Sequence, residues 1–275
     1  MTADRLISLE KVTKRYASGP PWARRAVTAL NAIDLAIGNG ETLALVGESG
    51  SGKTTVGRLC LGLLEPSAGR VLLEGRPFSA WRGKLRGRLA AVLQHPRWSL
   101  NPRLRVGTSV AEPLVVGGST GRREVSAKVT EMLASVGLPA EMERRYPHEL
   151  SGGQCQRVAI ARALITAPRL IVFDEAVSAL DVSVQAQVLN LIKDLQQQVG
   201  FSALFITHDL AAARYVASEI AVLHRGTLVE SGPARRLYQA SSHPYTRGLQ
   251  EASGLLDRAA QNPVPFEVAD LGVGL

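Results

Sequence analysis

Cysteine is nearly absent: Cys60 and Cys155 are the only two among 275 residues. Two thiols so far apart in sequence exclude a disulfide framework, a four-thiolate zinc site and a cysteine-ligated iron–sulfur cluster within one chain. A reducing compartment, the cytosol by default, is therefore expected. Long apolar runs are missing as well. The longest, such as LALV and LIVF, fall far short of the roughly 20 residues that span a bilayer. The opening MTADRLISLEKVTKRY holds no apolar stretch long enough for a signal peptide. Any membrane role is thus expected to be peripheral. Acidic residues are in the minority, 24 Asp and Glu against 32 Lys and Arg, for a formal net charge of +8. That balance favours anionic partners: nucleotides, nucleic acid or an acidic membrane surface. The arginines are scattered, so a solvated basic surface is the alternative.

What is present is ordinary for a globular protein, 45% hydrophobic and 20% charged, in a length that suits one large domain or two coupled subdomains. LISLEKVTKRY alternates apolar and polar residues and predicts a strand; AVTALNAIDLAIGNGETLALVG predicts a second strand, a glycine turn at residues 38–40 and a third strand. ASGPPWARR between them, with two prolines and a glycine, predicts a loop. TLALVG is short and continuously apolar, as a strand buried on both faces of a parallel sheet should be. After Lys53, TTVGRLCLGLL carries apolar residues at helical spacing and stops before the turn EPSAG. Between residues 99 and 153 the pattern is helical, and GRREVSAKVTEMLASVGL places Val125, Val129, Met132, Leu133 and Val136 on one face. The sheet pattern returns at RLIVFDE and SALFITHD, with the helical VSVQAQVLNLIKDLQQQVG between them, which predicts a parallel crossover. The segment from residue 253 onward has weak periodicity and is assigned no function.

The stretch GESGSGKTT comprises Gly47, Glu48, Ser49, Gly50, Ser51, Gly52, Lys53, Thr54 and Thr55. Gly47, Gly52, Lys53 and Thr54 fit G-x-x-x-x-G-K-[ST]. Glycines let backbone N–H groups turn inward around a phosphate, and the following helix N-terminus adds a favourable field. Lys53 can reach the β and γ phosphates, and the Thr54 hydroxyl can ligate Mg²⁺. The bland alternative is a chance glycine loop before an amphipathic helix; a strand before and a helix after argue against it. LIVFDE ends a buried strand in two carboxylates, so Asp174 can orient magnesium and Glu175 can polarise an attacking water. An isolated Asp-Glu would be read as a solvated strand end; beside a phosphate loop it is not. Gln94 follows LAAVL and His208 follows ALFIT, at the edge where open α/β sheets bind ligands. A surface glutamine and a satisfied histidine are equally open readings of these two residues taken alone.

With LSGGQ at residues 150–154, SALD at 178–181 and THD at 207–209, the order of motifs resembles the ATP-binding subunit of an ABC transporter, over residues 6–252. The resemblance implies an α/β fold: a P-loop NTPase (RecA-like) core with a parallel sheet, an N-terminal antiparallel β-subdomain and an inserted α-helical subdomain at about residues 95–157, all within a domain of residues 1–252 followed by a tail of 253–275. It implies ATP and Mg²⁺ as ligands, with Thr54, Gln94 and Asp174 at the metal. Tyr16 would stack on adenine. Glu175, His208 and Gln94 would be catalytic, as base, γ-phosphate contact and Q-loop residue. Ser151, Gly152, Gly153 and Gln154 would present a second anion-binding helix terminus, and Asp181 would contact the opposite subunit. Subunits of this family pair head to tail, each completing the other's site, beside two membrane permeases at the cytoplasmic face of the inner membrane. The segment between residues 99 and 153 is then expected to receive a coupling helix of the permease. Nucleic acid is not an expected partner.

SLNPRLRVG, EPL, YPHELSGGQCQRVAIARAL and HPYTRGL further resemble subunits of dipeptide, oligopeptide and nickel import systems, which work with an extracytoplasmic solute-binding protein and often pair two different ATP-binding subunits. Some features depart from the pattern. Ala176 stands where proline commonly follows the acidic pair, His95 replaces the usual acidic residue, and Cys155 places a thiol beside the signature segment, where it is expected to be inert, with modification that blocks closure as the alternative reading. No cysteine cluster follows HPYT. A ribosome- or DNA-directed relative would carry two cassettes or a long coiled-coil insert, and a non-hydrolysing module would lack Glu175 or His208; an exporter subunit is the other transport reading.

Overall fold

The computed structural model describes residues 5–18, 25–95, 99–118 and 121–252. The loop expected at ASGPPWARR and the tail beyond Ala252 fall largely or wholly outside them. Two sheets carry the architecture. The first is antiparallel and built from β1 (Arg5–Ser18), β2 (Arg25–Gly38), β4 (Ala68–Leu73) and the short β5 (Arg76–Pro77), in the order β2-β1-β4-β5. The second has the order β10-β9-β3-β8-β7-β6, with β3 (Thr42–Val46), β6 (Leu89–Leu93), β7 (Leu170–Asp174), β8 (Ser202–Thr207), β9 (Glu219–His224) and β10 (Thr227–Pro233). All its pairings are parallel except β9 with β10.

Period-two alternation explains why this sheet is buried on both faces. On β3, Leu43 and Leu45 point to one side and Ala44 and Val46 to the other. On β7 the same split separates Leu170 and Val172 from Ile171 and Phe173, and on β8 it separates Leu204 and Ile206 from Ala203 and Phe205. The first side packs on α1 (Lys53–Cys60) through Val56, Leu59 and Cys60, and beyond it on Leu6, Ile7, Leu9 and Val12 of the antiparallel sheet. Helix α1 is thus sandwiched between the sheets, and burial pushes the Cys60 thiol up to about 12. The second side packs on helices, where Phe173 lies against Phe201 and Phe205 at ring separations of 6.4 and 6.1 Å.

The helical insertion contains α2 (Val106–Val116), α3 (Arg122–Ser135) and α4 (Gly152–Leu164). The expected apolar face of α3 is present: Val129, Leu133 and Val136 are buried, and Val125 and Met132 pack against them. Helix α4 runs through residue 157, the expected edge of this region, and its Val158 and Ile160 belong to the same apolar cluster as Val106, Val110 and Phe173. The insertion therefore shares a core with the sheet. The crossover from β7 through α5 (Val182–Val199) to β8 is parallel, as its pattern predicts. Helix α5 begins at the Asp181 cap, whose carboxylate accepts from the Val184 N–H at 2.9 Å, and stops at Gly200 in the left-handed region. Three shorter helices follow, α6 (Leu210–Val216), α7 (Ala234–Gln239) and α8 (Pro244–Ala252).

Candidate functional site

The register of the parallel sheet brings distant motifs to one edge. Leu93 pairs with Asp174, Asp174 with Ile206, and Val46 with Thr207. The residues that follow these strand ends, Gly47, Gln94, Glu175 and His208, are therefore neighbours although the chain between them is long. This carboxyl edge is where open α/β sheets place ligands.

Residues 47–55 run from the end of β3 into the first turn of α1. Gly52 lies at φ 108°, and a Cβ there would stand 2.7 Å from the Ala29 carbonyl oxygen; a Cβ on Gly47 would overlap the Leu223 carbonyl. Glycine is the residue these two positions tolerate. The loop is braced from behind, where Gly226 N–H donates to Ser51 O at 2.9 Å and Asn31 N–H donates to Gly226 O at 2.8 Å. Lys53 is buried, with its ammonium donating to Gly47 O at 2.6 Å and Glu48 O at 2.8 Å. Burial lowers its pKa, and the nearby Glu175, Asp174 and Glu48 carboxylates oppose that shift. An anion drawn to this pocket would further favour the charged form.

Thr54 and Asp174 meet across the loop, with Oγ1 donating to Oδ1 at 3.5 Å. Desolvation raises the Asp174 pKa; the Thr54 hydrogen bond and the Lys53 charge work against the rise and Glu175 adds to it. A hydroxyl and a carboxylate are the hard oxygen donors magnesium takes when phosphates and water supply the remainder. No cluster of three or more His, Cys, Asp or Glu suited to a metal occurs among the described residues. The donor set fits Mg²⁺.

Glu175 occupies the left-handed region at φ 49°, and its N–H donates to Ile206 O at 2.9 Å. A side-chain-bearing residue held there stores strain of a kind that gathers at functional sites. Its carboxylate accepts from Gln94 Nε2 at 2.8 Å and lies 3.8 Å from His208 Nδ1, with the histidine side chain 58% exposed and the glutamate 21%. Ser178, to which the sequence reading gave no role of its own, joins the cluster. Its hydroxyl donates to Glu175 O at 2.9 Å and lies 3.4 Å from Gln94 Nε2. The position lies inside the SALD motif, so the signal was in view without a chemistry attached to it.

Tyr16, half-buried on β1, brings its hydroxyl within 3.5 Å of Thr55 Oγ1, where either atom could donate. The antiparallel sheet thus reaches the start of α1. Ser151 caps α4: its Oγ accepts from Gln154 N–H at 3.2 Å while Gln154 Oε1 accepts from Ser151 N–H at 3.0 Å. Gly152 and Gly153 form the first turn behind this cap. No hydrogen bond joins residues 151–154 to residues 47–55 among the described residues. Asp181 is exposed at the start of α5, and hydrogen bonds from the Val184 N–H and the Ser183 hydroxyl hold its carboxyl below the usual carboxylate range. Cys155 is fully buried, with Sγ donating to Pro147 O at 3.5 Å, so the folded chain shields the thiol that the sequence placed beside the signature. His95 and Gln94 are exposed, whereas Ala176 is buried.

Comparison with known proteins agrees with this geometry. The profile described as ABC transporter matches residues 30–178. A protein of Brucella abortus, provisionally named for ATP binding in peptide import, is 49% identical over 251 residues, covering 89% of this chain and 75% of its own length. The di/tripeptide transport ATP-binding protein DppF of Pseudomonas aeruginosa is 46% identical over 231 residues, covering 82% and 72%. Among solved structures, the dimeric ATP-binding cassette MJ0796 in a post-hydrolysis state bound to ADP and Pi aligns with a TM-score of 0.73 at 30% identity, covering 83% of this chain and 99% of that one. On the motifs, the fold and these likenesses together, the chain belongs to the ABC transporter family, as an ATPase built on the P-loop NTPase fold.

Proposed function

We propose that this chain energises a peptide importer, binding Mg-ATP between its own residues 47–55 and the residues 151–154 of a facing subunit. The observation that carries the reading is the meeting of Gln94, Asp174, Glu175 and His208 at the mouth of the glycine loop, while the Ser151 helix terminus makes no hydrogen bond with that loop. A site with groups for a γ-phosphate and a water, and a capped helix terminus of the same chain that does not reach it, suits closure by a second body. The dimeric state named for MJ0796 is in keeping with such a second body.

In this reading Lys53 neutralises the β and γ phosphates as a point charge, backbone N–H groups of the loop wrap the phosphates, and Tyr16 stacks on the base. Magnesium supplies charge neutralisation when bound, held by Thr54, Asp174 and Gln94. Glu175 orients the attacking water, and His208 donates toward the γ-phosphate. Gln94 touches the Glu175 carboxylate directly, so a permease pressing on the helical insertion beside it can alter that contact. Ser151 and Asp181 of the partner close the site, and loss of the γ-phosphate removes the bridge that holds the bodies together.

No helix among the described residues is long and apolar enough to cross a membrane, in keeping with a peripheral place on the cytoplasmic face of the inner membrane beside two permeases and an extracytoplasmic solute-binding protein. The relatives named for peptide and di/tripeptide transport favour peptides over nickel as cargo. Reconstitution with its permeases and binding protein in proteoliposomes tests this: ATP-dependent accumulation of labelled di- and tripeptides is expected. Hydrolysis without peptide uptake, or with nickel uptake alone, would sink the peptide assignment.

A further inference from the structure

HPYTRGL separates this chain's resemblance to peptide-type subunits from that to other cassettes, yet the hydrolytic chemistry leaves it unused. In the fold it forms the start of α8, and Tyr245 within it reaches the glycine loop. The phenol oxygen accepts a hydrogen bond from the Glu48 N–H at 3.1 Å, across 197 residues of chain. The peptide group that donates this N–H is the one whose carbonyl, Gly47 O, accepts from Lys53 Nζ at 2.6 Å. One planar unit is thus gripped at both ends, by the phenol on its N–H and by the catalytic-loop lysine on its C=O. A peptide plane is rigid, so fixing its N–H fixes the direction of its carbonyl, and donation at one end polarises the other.

The phenol is itself held in place. Its ring stacks on His224, the last residue of β9, at a centroid distance of 3.9 Å and 18° between planes. Ahead of the ring, Glu230 of β10 accepts from Ser242 N–H at 2.8 Å, Ser242 Oγ at 3.0 Å and His243 N–H at 3.3 Å, and His243 Nδ1 accepts from Tyr245 N–H at 3.2 Å. Behind it, Gln250 donates to Leu237 O at 2.8 Å and Tyr238 O at 3.1 Å. Helix α8 is therefore anchored before and after Tyr245, whose phenol reaches the loop.

We propose that Tyr245 is a positioning residue of the nucleotide site, setting the Gly47–Glu48 peptide so that Lys53 is presented to the phosphates. This rests on the assignment of Lys53 to those phosphates. The full-length chain is titrated with a fluorescent ATP analogue and with ADP, alongside ATPase kinetics. Tyr245→Phe keeps the stacked ring and removes the oxygen. Its expected effect is an affinity for both nucleotides, and a KM for ATP, weaker by about threefold to tenfold, the size of one hydrogen bond. The kcat and the melting temperature are expected to stay near those of the parent. Arg247→Ala, exposed on the same helix, is expected to change neither affinity nor melting. In a Lys53→Ala background the tyrosine substitution should add no further loss, because the relay has already been cut. A lowered melting temperature with unchanged KM in Tyr245→Phe would reduce the contact to a tie that holds α8 and overturn the proposal, as would full additivity with Lys53→Ala. If the Phe variant fails to fold, His224→Ala loosens the stack instead, and an unchanged KM there also overturns it. Unchanged nucleotide affinity in Lys53→Ala alone would bring down the phosphate assignment, whereas a loss there with normal affinity in Tyr245→Phe brings down only the role of Tyr245.

Discussion

Gln94 and Glu175, 81 residues apart in sequence, are joined by a hydrogen bond of 2.8 Å from Nε2 to Oε2. The link ties the strand end beside the helical insertion to the residue proposed to act on water. It also leaves the other carboxylate oxygen facing His208 at 3.8 Å. Geometry at one residue can thus be read out at three.

Glu175→Gln keeps the shape of the side chain and removes its basicity. Turnover is expected to fall by about 10²–10⁴-fold, the usual worth of a general base, while ATP binding survives and a nucleotide-loaded pair accumulates on size exclusion. Turnover at the parental rate would remove Glu175 from the role of base.

Lys53→Ala takes away the only buried ammonium at the loop among the described residues. Hydrogen bonds to charged groups are each worth about 1.5–3 kcal/mol, so nucleotide affinity should drop by roughly 10–100-fold. Equilibrium titration with labelled ATP checks this, and parental affinity would contradict the assignment.

Asp174 titrates above the ordinary carboxylate range, chiefly because burial desolvates it. A carboxyl with a raised folded pKa contributes most to stability below its unfolded pKa, about 3.9, and that contribution is lost as pH rises through the folded value. Ionised Asp174 therefore costs stability at neutral pH. Without nucleotide, Asp174→Asn should melt higher than the parent near neutrality, with the gap closing toward about pH 4, the unfolded carboxylate range. Magnesium-dependent ATP hydrolysis should be lost in the same variant. A melting difference that does not vary with pH would show that the charge is not the cause.

Glu175 also carries backbone strain, with φ at 49°. The left-handed conformation costs an L-residue about 1–2 kcal/mol and glycine's extra chain entropy costs about 0.5–1. Glu175→Gly should consequently be more stable than Glu175→Ala by about 0.5–1 kcal/mol in denaturant titrations. The reverse order would mean that the strain is relieved elsewhere.

Much of this protein could be read from its residues in order. Contiguous signals survived: TLALV, buried throughout, became a central strand, the glycine loop followed it, and the 18-residue helix after Asp181 began and ended at its cap residues. Other elements were not legible. The strands β4, β5 and β10 are hard to read, because short antiparallel pieces such as Thr227–Pro233, largely half-exposed, carry little apolar periodicity; β9, parallel to β3 and buried from Ile220 to Leu223, carries the same signal as TLALV and was legible though unread.

What sequence determined by itself is the chemistry on offer, since a lysine after glycines or two carboxylates after a buried strand are local arrangements of adjacent residues. Which of them meet was decided only by tertiary structure. Gln94 touches Glu175 because parallel register aligns Leu93 with Asp174, and Tyr245 touches Glu48 because α8 folds back over the end of β9. Neither contact leaves a trace in spacing along the chain, for strand order and helix docking are set by the burial of whole faces rather than by any short run of residues.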